Sequence, residues 1–262
     1  MEKSAISTVD LTKRFGDVLA VDHIDLKVPR GSIWGLIGPN GAGKTTTINM
    51  LSGLYRPTSG TIEILGERFN GTEVSIKKNF GVMLEKLGLY ESLTGEEFLT
   101  LIGYIFDIEK MDLKKRINEL FEYMELIPAR RRPIHQYSQG MKKKLALAGI
   151  LLHEPRIIFL DEPFENLDPL ATRKIQDTLS AMARKGSTIF LTSHILSTVE
   201  KFCSEVALMI QGRIVFVSPT DRIRDRIKDE LTREHYDDLE DVFLSFVEKE
   251  EDERQKFRLS WI

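Results

Sequence analysis

Residues 38–45 read Gly38-Pro39-Asn40-Gly41-Ala42-Gly43-Lys44-Thr45, a full G-x-x-x-x-G-K-T loop, between the apolar run 33–37 and a helix-compatible stretch 45–54. Strand, glycine loop and helix in that order force an α/β core around a phosphate site. Gly38, Gly41 and Gly43 leave room for the backbone to curl so that successive N–H groups point at a β-phosphate, and the following helix adds its positive end. Lys44 brings a charge to the β/γ-phosphates, and Thr45 offers the hydroxyl that this loop presents to Mg²⁺.

The 262 residues suffice for one large α/β domain or a domain with a smaller companion. Lys and Arg total 37 against 40 for Asp and Glu, a net charge of −3, so no basic surplus exists to neutralise a phosphate backbone. Nucleic acid is not expected as the partner. The one cysteine, Cys203, supports neither an internal disulfide nor a thiolate metal cage, and the start of the chain lacks a signal peptide's apolar core. A cytoplasmic location is expected. The longest apolar runs, such as 145–152, fall far below the roughly 20 residues that span a bilayer, so any membrane role passes through another chain.

Residues 6–11 and 18–28 alternate β-branched and polar side chains around Phe15-Gly16-Asp17 and predict an antiparallel pair. A turn at 57–60 precedes a short strand at 61–65, and 80–84 predicts a strand buried on both faces. From 95 to about 127 the apolar residues Phe98, Leu101, Ile102, Ile105, Leu113, Ile117, Leu120, Phe121 and Met124 fall at helical spacing, a helical insertion. Helix 139–153, strand 156–160, helix 170–185 and strand 187–191 restore the α/β alternation, and strands 206–210 and 214–217 close it. The remainder, from about 220, is charged and helical in pattern, with Leu239, Val242, Phe243 and Phe246 on one stripe.

Strand 157–160 ends in Asp161-Glu162, two carboxylates at the strand's C-terminal end, where ligands sit in parallel sheets. This resembles the Walker B element: successive residues point to opposite sides, so Asp161 supports Mg²⁺ and Glu162 meets the attacking water. Tyr137-Ser138-Gln139-Gly140-Met141-Lys142, just before a helix, is similar to the signature motif of ATP-binding cassette (ABC) proteins. Leu167-Asp168-Pro169 resembles their D-loop, and Thr192-Ser193-His194 their switch histidine. Five ordered motifs over roughly 4–217 identify the chain as a member of that family, in particular as resembling the ATP-binding subunit of an ABC-2 type exporter.

The resemblance implies a P-loop NTPase core with a RecA-like mixed sheet, an antiparallel β subdomain and an inserted α-helical subdomain. Residues 1–94 and 136–217 would form the ATP-binding core, 95–135 the helical subdomain contacting the membrane partner, and 218–262 a C-terminal helical tail. It implies ATP and Mg²⁺ as cofactors. The phosphate loop with Thr46, Phe15 on adenine, Glu85, Ser138, Gly140 and Asp168 would bind nucleotide; Thr45, Asp161 and Glu85 would hold the metal; Glu162 and His194 would be catalytic. It further implies a head-to-tail dimer, with itself or another ABC ATPase, in which one subunit's loop faces the other's Ser138 and Gly140. A separate transmembrane permease would be the driven partner, the ATPase lying peripherally on the cytoplasmic face.

The chain departs from the family pattern at three places. Glu85 stands where a Q-loop glutamine is usual, Gln139 replaces the signature's first glycine, and Phe164-Glu165-Asn166 replaces Thr-Asn-Gly. Lys142, Lys143 and Lys144 read as a solvated face or a phosphate-steering patch. The alternative is a soluble ABC ATPase acting on ribosomes or DNA. Such chains usually carry two cassettes or a long coiled coil, neither of which this sequence has.

Overall fold

A computed structural model describes residues 4–223. β1 (Ser4–Phe15) and β2 (Val18–Pro29) pair across the two-residue turn Gly16-Asp17. β3 (Ile33–Ile37), buried at all five positions, runs into the phosphate loop and α1 (Lys44–Leu51). β4 (Ser59–Ile64) pairs antiparallel with β1, and β5 (Glu67–Arg68) with β4; α2 (Val74–Lys77) leads to β6 (Phe80–Met83). The helices α3 (Gly95–Ile105), α4 (Lys110–Tyr123) and α5 (Gln139–Leu152) precede β7 (Ile157–Asp161). Then come α6 (Pro169–Arg184), β8 (Thr188–Ser193), α7 (Leu196–Phe202), β9 (Glu205–Ile210) and β10 (Arg213–Pro219).

Two sheets result. One is antiparallel, in the order β2-β1-β4-β5; the other has the order β10-β9-β3-β8-β7-β6, parallel except at the β10 edge. The larger sheet is covered on both faces, as a parallel sheet requires. Trp34 and Leu36 of β3, Phe159 of β7 and Phe190 of β8 project into the layer shared with the antiparallel sheet. Their neighbours Ile33, Ile37, Leu160 and Leu191 pack under the helices. Trp34 stacks on Phe190 with centroids 5.1 Å apart, and each such buried side chain contributes about 1.5–3 kcal/mol. α7 lies close on β3: a Cβ at Gly35 would meet Val199 Cγ1 at 2.6 Å and Cys203 Sγ at 3.1 Å.

All parallel strands present their C-terminal ends at one edge. The phosphate loop follows β3, Glu85 follows β6, Glu162 follows β7 and His194 follows β8. Topology thus gathers residues spread over some 150 positions of sequence.

Three differences from the sequence reading have physical causes. β6 is not buried on both faces: it is an edge strand, and Val82 is half-exposed. α2 and α7 were not foreseen, because segments of 4 and 7 residues are too short to display a helical repeat. β1 and β2 reach 12 residues each, polar side chains being free to extend strands of which one face meets water. Of the expected tail, β10 runs to Pro219 and one 3₁₀ turn follows at Thr220–Arg222. Its apolar stripe lies outside the described residues.

Candidate nucleotide site

The loop between β3 and α1 closes on backbone geometry that side chains oppose. Gly41 and Gly43 have φ of 83° and 105°, a region glycine enters freely. Gly43 is the N-cap of α1 with no side-chain cap, and the first turn carries no acidic residue. The leading N–H groups of α1 therefore have no capping side chain, which is the anion-binding condition. Lys44 Nζ donates to the loop's own Gly38 and Pro39 carbonyls at 2.8 and 3.1 Å. Burial pulls its ammonium below the ordinary lysine range, and Glu162 and Asp161 oppose that shift. Thr45 is exposed and Thr46 half-buried. A cleft of about 920 Å³ adjoins the loop, lined by Val18, Ala20, Asn40, Gly41, Gln211 and Arg213 among others.

Across the edge, Asp161 is fully buried. Thr192 Oγ1 donates to its Oδ1 at 2.5 Å, while its Oδ2 has no hydrogen-bond partner. An orphaned buried carboxylate oxygen is costly, and a bound cation would satisfy it. Among the described residues no cluster of three or more His, Cys, Asp or Glu forms a protein-only metal cage. The candidate donors are thus the buried Asp161 carboxylate, the exposed Glu85 carboxylate and the Thr45 hydroxyl, too few for a protein-only cage, which fits Mg²⁺ held largely by phosphate and water.

Glu162 lies one residue beyond β7, with φ 47°. The left-handed kink, rather than strand alternation, aims its carboxylate, so the reason given from sequence is corrected while the separation of the two acids stands. Its Oε1 lies 3.7 Å from Lys44 Nζ and its Oε2 3.0 Å from His194 Nδ1. The His194 N–H also donates to Oε2 at 3.4 Å. The backbone N–H of Glu162 donates to Thr192 Oγ1 at 3.1 Å, so one hydroxyl serves both acids.

The remaining expected residues are arranged as follows. Phe15 is 44% exposed beside the hairpin turn, edge-on to Tyr55 at 5.6 Å, with Lys13 Nζ 5.0 Å from its centroid. Glu85 is exposed, and its charge reaches Lys44 and Lys143. Ser138 caps α5, accepting the Met141 N–H at 3.3 Å, and Asp168 caps α6, accepting the Ala171 N–H at 2.8 Å, which holds its carboxyl below the usual range. A Cβ at Gly140 would meet only the Asn166 carbonyl oxygen, at 3.5 Å. Lys44, Asp161, Glu162 and His194 are thus brought together, while Ser138 and Asp168 bond within their own helices.

The lysine run is not a solvated face. Lys142 pairs with Glu91, Lys144 lies 3.7 Å from Glu125, and Lys143, 6% exposed, donates to the Glu162 and Glu165 carbonyls. Sequence held one signal of this, since Lys143 shares the buried stripe 143, 147, 150 with Leu147 and Ile150.

The sequence pattern of the family described as ABC transporter matches residues 21–165, more than half of the chain. This chain belongs to the ABC transporter family. It is similar to the bacitracin transport ATP-binding protein BcrA of Bacillus licheniformis, 39% identical over 222 residues, 84% of this chain and 72% of the relative. It is also similar to the daunorubicin resistance ATP-binding protein DrrA3 of Streptomyces coeruleorubidus, 34% identical over 224 residues, 86% and 71% of the two chains. A solved ATP-binding subunit of an ABC transporter superposes with TM-score 0.83 at 29% identity, covering 93% of this chain and all of that one. The mixed α/β cassette is therefore that of an ABC ATPase, an ATP-binding subunit. No helix among the described residues is long and apolar enough to cross a membrane.

Proposed function

We propose that this chain hydrolyses ATP as one half of a head-to-tail dimer and thereby drives export through a separate transmembrane permease. The observation that carries the reading is the meeting of Lys44, Asp161, Glu162 and His194 at one sheet edge beside the glycine loop. The triphosphate lies on 38–46, with Phe15 against adenine. Lys44 transfers from the Gly38 and Pro39 carbonyls to the β/γ-phosphates. Glu162 takes the proton of the attacking water and His194 holds that water and the γ-phosphate. Thr45, Asp161 and Glu85 would hold Mg²⁺, which would supply neutralisation of phosphate charge.

Ser138 and Gly140 contact the γ-phosphate of the other subunit, and Asp168 stands at the seam. Space at Gly140 supports this, because nothing in the chain's own packing there demands glycine. Both halves of the composite site occur in one sequence, so the chain can pair with itself, and a second ABC ATPase would fit equally. The relatives named for bacitracin transport and daunorubicin resistance favour an exporter over a ribosome- or DNA-directed ATPase. A groove of about 310 Å³, lined by Val82, Leu87, Leu89, Phe98 and Ile102, suits a short permease helix, which supports a position at the cytoplasmic membrane face.

The test is the size of the Glu162→Gln chain with and without Mg-ATP at high concentration. A dimer that requires ATP and disappears on adding Ser138→Arg supports the sandwich. A monomer that binds ATP tightly under all conditions overturns self-pairing and leaves closure to a different partner.

A further inference from the structure

We infer that Lys143 is a positioning residue that fixes the Glu162 carboxylate through its main chain. This rests on the role proposed for Glu162. Lys143 lies on the second turn of α5, almost completely buried, and Nζ donates to the Glu162 carbonyl at 2.8 Å and the Glu165 carbonyl at 2.7 Å. A buried ammonium is retained only where its donors are met. Two of the three donors are met by carbonyls, so the ammonium's hydrogen bonds hold a backbone shape, while its charge acts through space on Glu165 and Glu162.

The shape needs holding. Glu162 has φ 47°, outside the usual range of a non-glycine residue, and it precedes Pro163, which bars the ordinary helical region. The two peptide groups that flank it are each pinned: its N–H donates to Thr192 Oγ1 at 3.1 Å and its C=O accepts from Lys143. With both fixed, the side chain leaves the backbone toward Lys44 and His194. Without Lys143 the 162–165 turn keeps only long internal bonds, Glu165 N–H to the Glu162 carbonyl and Leu167 N–H to the Phe164 carbonyl, each at 3.4 Å. Lys143 is five positions along from Ser138, on the helix whose N-terminus is assigned to the partner's nucleotide, so the carboxylate of one ATP site is tied to the helix that serves the other.

The experiment is a double-mutant cycle on the full chain, with kcat, KM for ATP and the unfolding midpoint measured for Lys143→Met, Lys143→Arg, Glu162→Gln and Lys143→Met/Glu162→Gln. Lys143→Met is expected to lower kcat by on the order of 10- to 100-fold with KM unchanged, as a misplaced reacting group does. Lys143→Arg, which retains donors, recovers most of that loss. In the Glu162→Gln background Lys143→Met lowers residual turnover no further, and the ATP-dependent dimer still forms. Full turnover in Glu162→Gln overturns the assignment of the base itself. Loss of turnover there, with Lys143→Met either harmless or equally damaging in both backgrounds, leaves the base standing and overturns the positioning role. If Lys143→Met fails to fold, Lys143→Arg decides alone: wild-type folding with a kcat below one-tenth of wild type overturns the inference.

Discussion

The sheet edge beside the phosphate loop and the helical region 95–135 are held by different physics. At the edge, Asp161, Thr192, Glu162 and Lys143 are linked by short bonds in buried or half-buried surroundings, with Trp34, Phe159 and Phe190 packed behind. The helical region buries Phe98, Leu99, Leu113, Ile117 and Phe121, but its polar ties are largely at the surface. Arg116 meets Glu154 at 3.2 Å, and Glu125 is shared by Lys144 and Lys174 at 3.7 and 3.2 Å. Arg130 meets Glu96 at 2.6 Å within the region itself. The exposed pairs contribute about 0–1 kcal/mol each, whereas the Arg130–Glu96 pair is half-buried. The hydrogen-bonded edge and the helical region therefore share one buried apolar core, in which Phe98, Leu99, Leu113 and Ile117 pack with Leu160 and Leu191, and only the polar ties between them are weak.

The contrast can be broken most severely at the edge. Glu162→Gln is expected to lower hydrolysis by on the order of 10²- to 10⁴-fold while ATP remains bound, measured as phosphate release against nucleotide affinity. The unfolding midpoint should not fall with it; a matching loss of stability would mean that Glu162 is structural.

Thr192→Val removes the hydroxyl serving both acids and leaves buried Asp161 without a hydrogen bond at either oxygen. Denaturant unfolding should show a loss of about 1–3 kcal/mol, recovered in part by Mg-ATP if the cation satisfies the carboxylate. In the helical region, Thr94→Ala dismantles the capping box in which Thr94 Oγ1 accepts the Glu97 N–H at 3.2 Å and Glu97 accepts the Thr94 N–H at 2.8 Å. That should cost about 1 kcal/mol, read as faster amide exchange in α3 with the sheet edge unchanged.

Acid gives the finest division. The hydrogen bond from Arg130 holds Glu96 below its ordinary value of 4.5, that from Thr94 does so for Glu97, and that from Lys174 for Glu125. A lowered folded value means that the unfolded chain binds more protons, so this stability is complete above about 4.5 and lost as pH falls through the folded values. Protection of the α3 and α4 amides, taken relative to the intrinsic exchange rate at each pH, should fall below pH 4.5, and Glu125→Gln should flatten part of that dependence.

Much of the edge was legible because its parts are local. Glycine loop, Lys44, Thr45 and the paired acids each follow a short buried strand, and parallel topology converts strand ends into neighbours. What escaped was tertiary. Thr192 shows its double bond only when β7 and β8 lie side by side, paired at Asp161 and Thr192. Lys143 looked like one of three surface charges because a lysine's partners are absent from its own helix. The aim of Glu162 depends on a left-handed φ that a strand ending gives no reason to expect.

Cys203, packed against Gly35 beneath α7, has a further use. It is the chain's single cysteine, it is buried, and burial pushes its thiol far above the ordinary range, so the reactive thiolate is scarce and out of reach. The native sequence is thus expected to react slowly with maleimides. Substituting Val18→Cys near the phosphate loop and Met111→Cys on α4, which are 65% and 80% exposed, would give two dye positions without removing any residue of the core. Their separation, followed by energy transfer during turnover, would report whether the helical unit moves relative to the antiparallel sheet beside the phosphate loop.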